Sequence, residues 1–315
     1  MHLRSIWKMA WSSLKLSWRV KITFFFMFIF PLGFFFVYCG LIAHGNPGLV
    51  QAVIGPLVGL SVITNSLFGV STQLVVMRER DMLRRYHLAP ITAFEMIASR
   101  LLASYLLFLP VVALQFILAI GLYGMPVPAS PFGLWLVYSL GYFALSGFGL
   151  VVAGVVNTMQ EAQVVNQILF FGLLFLSGST IPLPALSQTV QRLSLFLPPT
   201  LMIVAGEGLM LLHQTVASHW RELIGLALIS VTTLGVAVAL FRWEKEEKAT
   251  RRSRMRAALA LLPMLFVGVW LNGSPGFRRA SGPLLGSKQL PAPAAAKPKP
   301  INPKAIPKSE NGTRP

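Results

Sequence analysis

The chain has 315 residues, 55% of them hydrophobic and only 12% charged, with a mean hydropathy of +0.67 and a formal net charge of +17. About a quarter of an ordinary soluble domain is charged, so this balance excludes a water-soluble globular protein and indicates a polytopic membrane protein. The positive charge does not point to nucleic acid, because basic residues beside membrane spans have the simpler tasks of setting topology and meeting anionic lipid.

Residues 1–21, MHLRSIWKMAWSSLKLSWRVK, read as an amphipathic helix. Trp7, Trp11, Leu14 and Trp18 fall on one face and Arg4, Lys8, Lys15 and Arg19 away from it, a pattern suited to a helix lying in the inner headgroup layer. The apolar run that follows is too long for a signal-peptide core and lacks an A-x-A-like site, so a cleaved signal is not expected.

From Ile22 to Met77, 56 residues pass without an Asp, Glu, Lys or Arg, and another 60 do so from Leu101 to Gln160. A hydrocarbon core of about 30 Å takes roughly 20 apolar residues per helix, so each block holds two spans. The first divides at AHGNPG (Ala43 to Gly48) into spans near 22–43 and 49–77. The second divides at YGMPVPASP (Tyr123 to Pro131) into spans near 101–122 and 132–156. A fifth span is predicted at 163–181 and a sixth at 223–241. Continuous rather than alternating apolar runs favour helices over a barrel. The predicted fold is therefore an all-α polytopic membrane protein, six transmembrane helices over 22–241 behind an amphipathic interfacial helix.

With a cytoplasmic N-terminus, the inner segments 1–21, 78–100 and 242–256 carry five, five and seven basic residues, and the outer segments through residue 221 carry only Arg192 and Arg221. That bias sets the N-terminus inside.

No Walker-type G-x-x-x-x-G-K-[ST] sequence occurs, nor any Gly-Lys pair, so no nucleotide is cradled in that way. The spans lack mid-depth Asp, Glu, Lys or Arg, which weakens a proton-coupled carrier. The single cysteine, Cys39, lies inside the first span and reads as a buried apolar thiol. The histidines at 2, 44, 87, 213 and 219 show no metal-ligand spacing. No catalytic residues, no metal site and no bound cofactor are expected, and the energy source belongs on another polypeptide.

Within the spans, Gly55 and Gly59 form a G-x-x-x-G pair and Gly149 with Ala153 a small-xxx-small pair, both suited to close helix packing. Ser61, Asn65, Gly69 and Thr72 or Gln73 form a polar seam on the second span. Its residues, with Gln163, serve either helix packing or the lining of a translocation path. The outer segment 178–221 is apolar and broken by Pro182, Pro184, Pro198 and Pro199, which predicts short helices in or dipping into the outer leaflet. Glu207 is its only acid before the last span approaches, an interfacial carboxylate or a gating group.

Six charged side chains crowd the eight residues from Arg78 to Arg85. This stretch resembles the cytoplasmic loop between spans two and three of the permease subunit of ABC-2-type exporters: Arg78-Glu79-Arg80, then Leu83-Arg84-Arg85, Pro90-Ile91, Glu95 and Arg100. Gln163, then FLSGSTIPLPAL from Phe175 to Leu186 and LPPT from Leu197 to Thr200, are similar to that family's span-five exit. The resemblance covers about residues 1–248 and implies a coupling helix docked in a cleft of an ATP-binding subunit, with Arg78, Glu79, Arg80, Asp81, Leu83, Arg84, Arg85 and Pro90 as contact residues. Thr92 and Glu95 are placed to cap the helix that follows. Asp81-Met82 departs from the family's usual Gly and small residue, and Ala89 from its usual Thr or Ser.

The resemblance further implies two copies of the ATPase subunit, which would bind the ATP, and a second permease, identical or homologous, all in a bacterial cytoplasmic (inner) membrane. The substrate would be amphiphilic or lipid-linked: a drug, a lipid or a glycan. An ATP-independent carrier or a structural subunit of a membrane complex is the competing reading. Beyond the basic segment 242–256, a short seventh hydrophobic segment at 257–277 is interrupted by Pro263, and its apolar part, 257–271, spans only about 22 Å as a helix. The tail 278–315, rich in Pro, Ala and Lys, reads as disordered.

Overall fold

The computed structural model of the chain describes residues 2–19, 25–88, 91–181, 183, 186–244 and 251–273. Pro90, Pro182, Pro184 and the tail 278–315 lie outside the described residues. All regular structure among the described residues is helical.

The helix α1 (His2–Arg19) packs along α5 (Ala93–Tyr123) through buried Ala10 and Ser13, and leaves Trp7 and Trp11 half-exposed. The side chains of Arg4, Lys15, Trp18 and Arg19 lie outside the described part. Next comes α2 (25–42), an α-helix Phe30–Phe36 between π-helical turns Phe25–Ile29 and Val37–Ile42. At AHGNPG, His44 and Gly45 take positive φ, and Asn46 caps the following helix by accepting from the Gly48 and Leu49 N–H groups. That helix, α3 (Pro47–Glu79), contains a π-helical stretch at Asn65–Val70.

The short α4 (Met82–His87) links α3 to α5. Gly124 ends α5 in the left-handed conformation, after which α6 (Pro131–Val155) and α7 (Met159–Leu176) follow. The helices α8 (Gln188–Ser194) and α9 (Pro198–Leu211) meet at a 96° bend, and α9 is buried against α3, α6 and α10 (Val216–Ala239). The chain continues through α11 (Arg251–Ala258) and α12 (Leu261–Gly273).

Six described helices are long and apolar enough to cross a membrane: α3, α5, α6, α7, α10 and the 19-residue run Met255–Gly273. Five of them, α3, α5, α6, α7 and α10, overlap spans read from the sequence. The apolar helix at the first predicted span, Phe30–Ile42, is shorter, and residues 20–24 beside it are outside the described part. The segment expected to fall short at 257–271 qualifies because its helix begins at Met255, which brings the length to about 28 Å.

Within the segment expected as a loop at 78–100, both flanking helices continue. With 33 and 31 residues, α3 and α5 are about 50 and 46 Å long. Both exceed a hydrocarbon core of about 30 Å, so Arg78, Glu79, Glu95 and Arg100 are parts of these helices.

Candidate functional site

The link between α3 and α5 is a short ledge. Val76 and Arg78 keep α3 hydrogen-bonded to its end, their carbonyls accepting from the Arg80 and Asp81 N–H groups at 3.0 and 3.1 Å. Asp81 then turns the chain with φ 55° and ψ 18°, a left-handed conformation that Gly, Asn and Asp tolerate best. This accounts for the sequence departure: the aspartate stands at a position with a steric reason for glycine. Leu83 is fully buried and pins α4 to the core, whereas Arg80, Asp81 and Arg84 are exposed. Exposed Met82, Leu88 and Phe94 lie among these charges, Leu88 at 89%. Glu79 is half-buried; the Arg85 side chain, like Pro90, is outside the described part.

On the far side, α5 starts with a reciprocal cap. Glu95 N–H donates to Thr92 Oγ1 at 3.2 Å, and Thr92 N–H to Glu95 Oε2 at 2.9 Å, the arrangement expected from the sequence. The ledge is thus held between two helices with ordered ends.

Arg78 has a position the sequence reading did not foresee. Its side chain is 3% exposed and turned inward, donating from Nη1 to Ala153 O at 2.9 Å and from Nη2 to Val156 O at 2.6 Å. These carbonyls belong to the last turn of α6 and to its C-cap residue, where no intrahelical donor remains and a cation is favourable. Arg242, just past α10, approaches the same turn and donates to Val156 O and, at 3.1 Å, to Asn157 Oδ1. Asn157 N–H in turn donates to Glu161 Oε2 at 2.7 Å, and Thr158 caps α7.

A close backbone approach seals this knot, since a Cβ on Gly154 would fall 2.9 Å from Leu240 Cβ. The ends of α3, α6 and α10 and the start of α7 therefore meet at one point, centred on Val156. Sequence reasoning missed Arg242, Val156 and Asn157. Arg242 is one of seven bases in its segment, and charge alone does not separate it from the others.

Two residues of the polar seam of α3, Ser61 and Asn65, are buried and hydrogen-bonded within the protein. Ser61 Oγ and the Gln115 side chain of α5 share hydrogen bonds of 3.2 and 2.9 Å, and Gln115 Nε2 also reaches Pro31 O at 3.4 Å. Asn65 Nδ2 turns back to Ser61 O at 2.9 Å. In the π-helical stretch, Leu67 O and Ser71 Oγ each accept from Asn166 Nδ2 of α7 at 3.1 Å, and Ser66 Oγ donates to Tyr142 O at 3.3 Å. Such a stretch releases carbonyls from the i→i−4 ladder, and Asn166 takes up one. Gln115 and Asn166 were unassigned in the sequence, where a lone amide in a charge-free run was the available signal.

Thr72 and Gln73 are half-buried on α3, and Gln163 is exposed on α7. The glycines lie at tight contacts. A Cβ on Gly55 would meet Met210 Cε at 2.8 Å and one on Gly59 would meet Ile203 Cγ1 at 3.1 Å, both on α9. One on Gly149 would stand 2.8 Å from Ser66 O, and Ala153 is buried one turn further along α6. Glu207 is half-buried on α9 with its Cγ toward Gly55.

A family model described as ABC-2 type transporter matches residues 4–211, α1 through α9, and the chain belongs to this family. Among curated relatives it is 25% identical over 200 residues to the inner membrane transport permease YhhJ of Escherichia coli strain K12, and equally so to that of Shigella flexneri, covering 62% of this chain and 54% of theirs. It is 24% identical over 187 residues to the probable multidrug ABC transporter permease YbhR of Escherichia coli strain K12, covering 58% of this chain and 50% of the relative. The chain thus spans about half the length of the curated relatives it matches. No solved structure matches it.

Proposed function

We propose that the chain is the membrane-spanning permease subunit of an ATP-binding-cassette exporter, working with a second permease and two copies of an ATPase subunit that binds the ATP. The observation that carries this reading is the ledge. The ledge, whose six-residue helix is anchored by Leu83, offers Arg80, Asp81, Met82, Arg84 and Leu88 outward and lies between the two longest helices of the fold. A soluble partner gripping such a ledge moves α3 and α5 together, and the arginine knot on Val156 carries the movement to α6 and α10. Alternating access along the interface of two permeases follows from this lever.

The basic bias of segments 1–21, 78–100 and 242–256 supports an inside N-terminus in a bacterial cytoplasmic membrane. An amphiphilic or lipid-linked substrate, whether drug, lipid or glycan, suits predicted spans that lack mid-depth Asp, Glu, Lys or Arg, and the multidrug name of one relative agrees with it. The reading is tested by purifying the tagged chain in detergent from its native host and identifying bound proteins by mass spectrometry, with Arg80→Glu/Arg84→Glu beside the wild type. Stoichiometric recovery of a P-loop ATPase that disappears in the double variant supports the exporter. Intact, monodisperse protein with no ATPase replaces it with an ATP-independent carrier or a scaffold.

A further inference from the structure

Beyond the family-matched residues, α10 and α12 form a wedge. At one end they touch closely: a Cβ on Gly225 would lie 2.8 Å from Val267 Cγ1, and the Trp220 and Trp270 rings meet edge to face at 5.8 Å. Asn272 adds a tie to the α8 helix, donating from Nδ2 to Arg192 O at 3.2 Å. Toward α11 the helices diverge and leave a groove of about 540 Å³, walled by Leu228, Gly235 and Val236 on one side and Leu259, Leu262 and Phe266 on the other. This volume is within the range of small-molecule sites, roughly 300 to 1,000 Å³.

The groove is apolar throughout. Thr232, its one hydroxyl-bearing residue, donates back to Leu228 O at 2.6 Å, so it offers a ligand no free donor. At Gly235 the wall is open, with nothing within 4 Å of where a Cβ would stand. Both walls belong to helical runs long and apolar enough to cross a membrane, which would set the groove in hydrocarbon. At its mouth the chemistry changes abruptly. The α11 helix has the sequence RRSRMRAA, and its exposed Arg256 is joined to the groove residue Leu259 by a Leu259 N–H to Arg256 O hydrogen bond of 3.0 Å. An apolar slot between two apolar helices with the exposed Arg256 one turn beyond its end matches a hydrocarbon tail bearing an anionic head.

We propose that the groove between α10 and α12 is a binding site for an anionic glycerophospholipid, one acyl chain filling the slot and the headgroup phosphate lying against α11. The apolar walls accept the tail and Arg256 selects the headgroup. The proposal needs only that α10 and α12 cross a membrane, and it is independent of the transport reading. A helix of a second copy would fill the same slot but gives no reason for the arginine at its mouth.

The test is lipid retention by the full chain in mild detergent, after exchange with equimolar phosphatidylglycerol and phosphatidylcholine, read by native mass spectrometry. Phosphatidylglycerol should be retained selectively. Arg256→Gln should lower that preference about fivefold, the contribution of one arginine at a charged lipid surface. Gly235→Trp should abolish retention of either lipid with the circular dichroism and elution volume unchanged. A phosphatidylglycerol carrying a diazirine in its acyl chain should label Leu259 to Phe266 in the wild type, which tests the slot without any substitution. Equal retention of both lipids, labelling elsewhere, displacement by millimolar inorganic phosphate, or a Gly235→Trp protein that changes oligomeric state while keeping its lipid would overturn the proposal.

Discussion

Arg78 and Arg84 stand six residues apart in the same charged run and are put to opposite uses. Arg78 is folded inward and spends its guanidinium on the carbonyls of Ala153 and Val156, whereas Arg84 projects from α4 into solvent. One arginine closes a helix end and the other presents charge to whatever lies outside. The contrast shows that a cluster of like residues at a membrane boundary need not be a single surface: the planar, five-donor guanidinium serves a buried carbonyl pair as well as a partner.

Substitutions at the two kinds of position should separate accordingly. Arg78→Ala is expected to have the largest effect on stability, about 3 kcal/mol, because it removes two charged donors from buried carbonyls. Thermal unfolding in detergent measures this, and Arg78→Lys should recover only part of the loss, since an ammonium does not reproduce the fork. Gly149→Leu should cost about 2 kcal/mol by driving a side chain into Ser66 O. Gly172→Leu is its control, as nothing stands within 4 Å of a Cβ there.

Asp81→Val should cost about 1 kcal/mol by forcing a β-branched residue to φ 55°, with Asp81→Gly close to neutral. The same melting series reports both. Arg80→Glu/Arg84→Glu should shift stability least, by less than about 0.5 kcal/mol, while eliminating ATPase recovery. A double variant that also unfolds the protein would erase the contrast with Arg78, whereas an Arg78→Ala protein that melts like the wild type would show the inward contacts to be idle.

Much of the fold was legible in the residues. The blocks empty of charge placed the predicted spans, AHGNPG marked a break between two of them, Thr92 with Glu95 marked a helix start, and the prolines near 198 foretold the break that became the α8–α9 bend. Of the candidate site, the ledge was visible as a charge cluster, but its internal division was not. Leu83 looked like one more contact residue until its burial showed it to be the anchor. Gln115 and Asn166 carried no pattern, because their partners lie 54 and 99 residues away in the chain.

By itself, then, the sequence determined that this is a helical membrane protein, where most of its apolar helices run, and that its basic residues gather at certain boundaries. Tertiary structure alone decided which arginine is a strut, which helix face meets protein, that the run Met255–Gly273 is long enough to count as a span, and that α10 and α12 part to leave a groove. The physical reason is that hydropathy records removal from water. Lipid and protein interior are equally apolar, so a leucine facing either has the same signature. Only packing contacts and hydrogen-bond partners, such as the two carbonyls held by Arg78, distinguish one environment from the other.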